Sequence, residues 1–267
     1  MMTFQNILDS LPIGAVFSAY LIIAVIVSDL GYRFGHWLQD RTKDKKEGPT
    51  NMIVGSLLAL MAFLLAITMG MAVDRFDHRR SIVMDEANSI GTTYLRAGYL
   101  PEPASREVQN LIRAYVPLRI MAGDQEDVSE RIARSSEIHD ELWSIAEELA
   151  RNNPESEVLT LYIDSLNQTI DLHENRIVAG IYSRVPHTVL LLLIAGSLMA
   201  LAAMGYNAGL MQKRSPVSGM AMILVLGAVI TLVVDLDRPR DGLLSVDQKP
   251  LIDLQEKIGA PTLLKNP

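Results

Sequence analysis

Asp74, Asp77 and Asp85 recur with Ser81, Asn88, Thr92 and Arg96 at intervals of three or four residues. On a helix that spacing gathers them on one face. Carboxylates so placed attract cations, and several copies round an axis would turn them into acidic rings at the mouth of a path. They do not suit general acid–base work, because neighbours such as Asp85 and Glu86 point roughly 100° apart on a helix. The five histidines, at 36, 78, 139, 173 and 187, fall in no H-E-x-x-H or comparable ligand spacing, and G-x-S-x-G, P-loop and G-x-G-x-x-G motifs are absent. His173 falls in the apolar stripe of its helix and reads as a hydrogen-bonded core residue. His78 and His139 read as solvated. With no cysteine, thiolate metal sites, disulfides and a Cys nucleophile are also excluded. The pattern indicates neither an enzyme nor a cofactor or metal site.

Upstream, Gly55, Ala59, Ala62, Ala66 and Gly70 follow the same interval within an apolar run. The small stripe therefore runs into Asp74, Asp77, Asp85 and Asn88, drifting only about 40° from Gly70 to Thr92. Two readings stay open. Small residues in a membrane helix serve close packing, and a polar face beyond it meets solvent. Alternatively, one continuous face lines a pore, small inside the membrane and acidic at the mouth. Phe76, Val83, Ala87, Ile90 and Tyr94 form a separate apolar stripe that calls for burial. A second acidic edge occurs at Asp235 and Asp237, followed by Arg238 and Arg240. Carboxylates at the end of an apolar run are costly unless paired or wetted, so these four are expected either as membrane-edge ion pairs, which Arg75, Arg79 or Arg80 could join, or in a functional role.

These residues need elements to carry them. The chain has 267 residues, 49% of them hydrophobic. Four apolar runs, roughly Leu11–Leu30, Met52–Val73, Thr188–Met211 and Val217–Val234, each approach the ~20 residues that span a bilayer. The first carries no basic flank and no cleavage site, and reads as a retained anchor. No proline interrupts the sequence from Met52 to Leu100, so one helix of roughly 70 Å can hold both the second run and the acidic face. The intervening segment reads as helices over Ala104–Met121, Glu126–Arg151 and from Glu155 towards Pro186, forming a bundle. Pro250–Ile258 reads as a short helix capped by Gly259. The expected organisation is all-α. Residues 1–73 carry the first two spans and a basic loop, 74–187 a helical extramembrane domain, 188–234 the last two spans, and 235–267 a tail. Basic residues near the span ends number seven on each side, so the charge rule leaves the orientation open. A net charge of -7 argues against a nucleic-acid partner.

In Asp74-Arg75-Phe76-Asp77, Asp85-Glu86-Ala87-Asn88-Ser89-Ile90-Gly91-Thr92, Tyr94-Leu95-Arg96-Ala97, Leu100-Pro101-Glu102-Pro103, Asp235-Leu236-Asp237-Arg238-Pro239 and Gly242, the chain resembles bacterial bestrophin-like membrane proteins. It is more distantly similar to the bestrophin channels. The resemblance implies four spans, a pore lined by the second, a pentameric homo-oligomer in the cell inner membrane and inorganic ions as cargo. The stripe is small where bestrophin pores are narrowed by bulky rings, and nothing matches their acidic calcium clasp. The expected function is an oligomeric ion channel embedded in the lipid bilayer. The alternative is a membrane-anchored helical scaffold or sensor that binds a partner and conducts nothing.

Overall fold

The computed structural model describes residues 10–41, 50–120, 125–238 and 242–261. Every regular element among them is helical: α1 (Ile13–Arg41), α2 (Thr50–Ala97), α3 (Ala104–Arg119), α4 (Gln125–Asn152), α5 (Glu157–Ile177), α6 (His187–Leu210), α7 (Pro216–Asp237) and α8 (Lys249–Ile258). A π-helical turn, Val178–Tyr182, follows α5. Four helices among the described residues, α1, α2, α6 and α7, are long and apolar enough to cross a membrane. The expected all-α fold with four spans is therefore present.

Helix α2 runs unbroken for 48 residues. With neither Pro nor a capping signal before Gly98-Tyr99-Leu100-Pro101, nothing local stops it. Helix α1 continues to Arg41, well past the expected end at Leu30. The polar residues after Leu30 keep helical contacts, with Arg33 Nε donating to Asp29 at 2.7 Å and the Tyr32 and His36 rings stacked at 6.0 Å. Polarity there ended the hydrophobic signal but not the helix. Gly259 closes α8 with a φ of 66°, a left-handed conformation that glycine adopts without a Cβ penalty.

The chain divides into two compact units. The first comprises residues 1–76 and 183–245, the second residues 77–182 and 246–267. In the first, Tyr20 and Ala24 of α1, Met61 and Leu65 of α2, Leu193, Ala200 and Leu201 of α6, and Ile223, Leu226 and Ile230 of α7 form a buried core. The Tyr20 hydroxyl is satisfied there by donating to Ser197 Oγ at 3.0 Å. Helices α1 and α6 meet backbone to backbone. A Cβ on Gly31 would lie 2.3 Å from the Ala202 carbonyl oxygen, one on Gly35 2.2 Å from that of Tyr206, and one on Gly205 2.1 Å from that of Ser28.

In the second unit, Val83, Ala87 and Ile90 of α2 join Val108, Ile112, Tyr115 and Val116 of α3, Ile138 and Leu142 of α4, Tyr162 and Leu166 of α5, and Leu251 and Leu254 of α8. The apolar stripe expected on α2 is thus buried at Val83, Ala87 and Ile90, with Tyr94 packed against the same core. A hydroxyl seam joins α2 to α5, where Ser89 and Thr93 each hydrogen-bond Thr169 at 2.9 Å. Buried hydroxyls need such partners to offset lost hydration.

Candidate functional site

Each unit holds one length of α2 in a fixed rotation. In the first unit, Val54, Met61, Leu65, Thr68 and Ala72 are buried. Gly55, Ala59, Ala62, Ala66 and Gly70 lie on the opposite side of the helix and are all exposed. A Cβ added at Gly55 or Gly70 would meet no atom within 4 Å. Asp74 continues this exposed side, while the adjacent Arg75 turns away and donates to Ser183 Oγ at 2.9 Å.

In the second unit, Asp77, Ser81, Asp85, Asn88 and Thr92 are exposed. Ser81 Oγ donates to the Asp85 carboxylate at 3.2 Å. The opposite side carries Glu86, fully buried. Arg119 Nε donates to Glu86 Oε1 at 2.6 Å and Arg176 donates to Glu86 Oε2 at 2.5 Å. Arg176 also donates to Gln248 Oε1 at 2.8 Å. Because successive helical residues point roughly 100° apart, a Glu86 held inward directs Asp85 outward. The buried ion pairs thereby set the rotation of the acidic face. Residue type alone does not separate Glu86 from its neighbour Asp85. Its one available signal was its place beside Val83, Ala87 and Ile90 on the buried side.

Beside these pairs lie two histidines. His173 is fully buried, as its apolar stripe led us to expect, with Nδ1 3.4 Å from the Tyr115 hydroxyl. His139, expected in solvent because acids flank it, is also buried, its ring 4.8 Å from that of His173 and 4.9 Å from that of Tyr115. The flanking Asp140 and Glu141 face outward while His139 turns in, so residue-by-residue polarity misled where helical phase decides. Burial, reinforced by the Arg119 charge, holds His139 down to about 4 and His173 to about 3. Both rings are therefore neutral near pH 7. Burial likewise pushes the Tyr115 hydroxyl up. His78 is exposed.

At the end of α7, backbone groups contribute to holding the acidic residues. Asp235 is buried and its carboxylate accepts the backbone N–H groups of Leu243 at 2.8 Å and Leu244 at 3.0 Å. The chain folds back tightly because Gly242 leaves room: a Cβ there would lie 2.8 Å from Asp235 Oδ1. Two amide donors thus offset the burial of the Asp235 carboxylate. Asp237 accepts the Val185 N–H at 2.7 Å, and Arg238 donates to the Leu11 carbonyl oxygen at 2.9 Å. Arg240 lies outside the described residues, as do Lys43, Lys45 and Lys46 of the basic loop. Among the described residues, no three His, Asp or Glu side chains converge as a metal site.

A family model described as a Bestrophin-like domain matches residues 21–251. No curated protein sequence matches the chain. Among solved structures the chain is similar to a bacterial bestrophin homolog from Klebsiella pneumoniae, determined in several point-mutated forms. One form shares 16% identity over 90% of this chain and 94% of its own, with a TM-score of 0.65. Another shares 15% over 92% and 95%, with a TM-score of 0.66. At that identity the likeness is one of fold.

Proposed function

Because the chain belongs to the bestrophin-like family, we propose that it is an ion channel of the cell inner membrane, assembled from several copies round an axis. Five copies follow from its resemblance to bestrophins. Helix α2 lines the path, with Gly55, Ala59, Ala62, Ala66 and Gly70 along the membrane and Asp74, Asp77, Asp85 and Asn88 at the mouth. The cargo is inorganic cations, because carboxylate rings favour positive charge.

One observation carries this reading: the small and acidic residues of α2 are exposed in the single chain, from Gly55 to Thr92. Small residues in a membrane helix ordinarily let backbones approach. Here α1 and α6 use their glycines for that purpose, while the small side of α2 is left exposed among the described residues. A neighbouring copy, lipid or water is left to occupy it, and the acids that follow favour water.

The test is a bilayer recording of the purified protein under a salt gradient. We expect a cation-selective current whose selectivity drops in the D77N/D85N double variant. A carboxylate about 10 Å from the ion contributes ~0.4 kcal/mol in water. Summed over a ring and screened by salt, that corresponds to roughly a tenfold fall in the cation-to-anion permeability ratio. Absence of current under any gradient would favour a non-conducting, membrane-anchored scaffold. Unchanged selectivity in the double variant would remove the acids from the path.

A further inference from the structure

Along α1, Ile22, Ile26 and Leu30 lie on one exposed side. Phe34, Trp37 and Arg41 prolong that side by helical spacing. Phe34 is 57% exposed and Trp37 47%, and their rings stack at 6.0 Å. The Arg41 guanidinium sits 4.1 Å from the Trp37 ring centroid. The opposite side of α1 is closed against α6 through Gly31 and Gly35. Aliphatic, aromatic and cationic residues thus succeed one another along a single outward side, in the order in which a bilayer presents hydrocarbon, interface and headgroups. From Leu30 to Arg41 the rise is about 16 Å.

The α6–α7 connection widens this end of the helix. Gln212 donates to Asp40 at 3.3 Å and Arg214 to Asp29 at 2.9 Å. Arg214 also lies 4.8 Å from the Tyr32 ring centroid. Arg33 and Arg214 both engage Asp29, which leaves an excess of positive charge between them. Arg41 has no carboxylate partner among the described residues and holds its charge over an aromatic face. Lys213 is exposed in the connection, between Gln212 and Arg214 in sequence. A protein of net charge -7 therefore concentrates cations where aromatic rings would sit among headgroups.

We propose that the last three turns of α1, with Arg33, Phe34, Trp37 and Arg41, and the connection carrying Lys213 and Arg214, bind the phosphate of anionic phospholipids. The rings seat the helix at the interface, and Arg41, together with Lys213 of the connection, takes the headgroup charge. This proposal stands independently of conduction.

Trp37 is its own reporter, since the only other tryptophan is Trp143. Full-length W143F protein is reconstituted in phosphatidylcholine vesicles containing an equal fraction of brominated phosphatidylglycerol or brominated phosphatidylcholine. The wild-type signal minus that of W37F supplies the same readout without altering Trp143. Trp37 is expected to be quenched by both lipids. The brominated phosphatidylglycerol should be preferred about fivefold for each engaged cation, and R41A should lose most of that preference. Equal quenching by the two lipids, an undiminished preference in R41A, or a Trp37 that neither lipid quenches would each overturn the proposal.

Discussion

Replacing Glu86 with alanine is expected to cost the helical unit about 3–5 kcal/mol. Glu86 is the shared acceptor of Arg119 and Arg176, and all three side chains are buried or nearly so. Without the carboxylate, two guanidiniums stay in a low-dielectric interior with their charges unpaired. Arg176 keeps Gln248, a neutral acceptor. E86Q preserves the shape but not the charge, so it should also destabilise the unit. D85N, one residue away on the exposed side, should change stability by no more than about 0.5 kcal/mol. Hydrogen exchange through α3, α4 and α5 separates the two cases: protection collapses in E86A and persists in D85N. An E86A protein as protected as wild type would mean that the buried pairs do not set the rotation of α2.

Acid acts on the same cluster. In the unfolded chain His139 and His173 take up a proton near pH 6.5, but in the folded unit they resist until about 4 and about 3. Between those limits the unfolded state binds more protons, so stability falls as the pH drops below 6.5. At pH 5 the loss is on the order of 2 kcal/mol for each ring. Trp143 lies against this core, and in W37F protein its fluorescence should report a lower urea midpoint at pH 5 than at pH 7. An unchanged midpoint would place both rings in contact with water.

The second large effect lies where α1 crosses α6. A Cβ on Gly209 would lie 2.3 Å from the Tyr32 carbonyl oxygen and 2.7 Å from the His36 amide nitrogen. The atoms in the way are backbone, so no rotamer change relieves the contact and the helices must separate. G35A and G209A are each expected to cost about 1–3 kcal/mol, and the double variant more. The stripe on α2 supplies the opposite case. Gly70 has nothing within 4 Å of its Cβ position, so G70A should leave stability unchanged or raise it by up to about 1 kcal/mol through helix propensity. Thermal unfolding in detergent should therefore show lower midpoints for G35A and G209A, and none lower for G70A. If G70A proved as harmful as G209A, the small side of α2 would be a packing surface rather than a free one.

The number of spans and the continuity of α2 were legible because they depend on local properties: apolar length, and the absence of proline between Met52 and Leu100. The Gly259 cap was legible for the same reason. What was missed depends on phase and on partners distant in sequence. Glu86 and Asp85 are chemically alike and differ only in the side of α2 they occupy. His139 is flanked by acids yet faces inward. Asp235 finds its partners in the amides of a returning loop, which no spacing of arginines could disclose. The α1–α6 crossing did leave a trace, since Gly31 and Gly35, like Gly205 and Gly209, are four residues apart, the spacing of close membrane-helix contacts. The stripe on α2 follows a similar interval with its small residues left uncovered, so spacing alone does not distinguish a packed face from an open one.

If the exposed small side of α2 lines a water-filled path, as we propose, a thiol placed on it is open to reagents in that water. Because the chain contains no cysteine, A62C introduces a single thiol at the middle of that side. The decisive measurement is the bilayer current of A62C before and after a water-soluble, charged thiol reagent. A62C is expected to carry a current like that of wild type, which the reagent reduces by most of its amplitude, with wild type unaffected. A current that persists after complete modification of residue 62 would contradict the proposal.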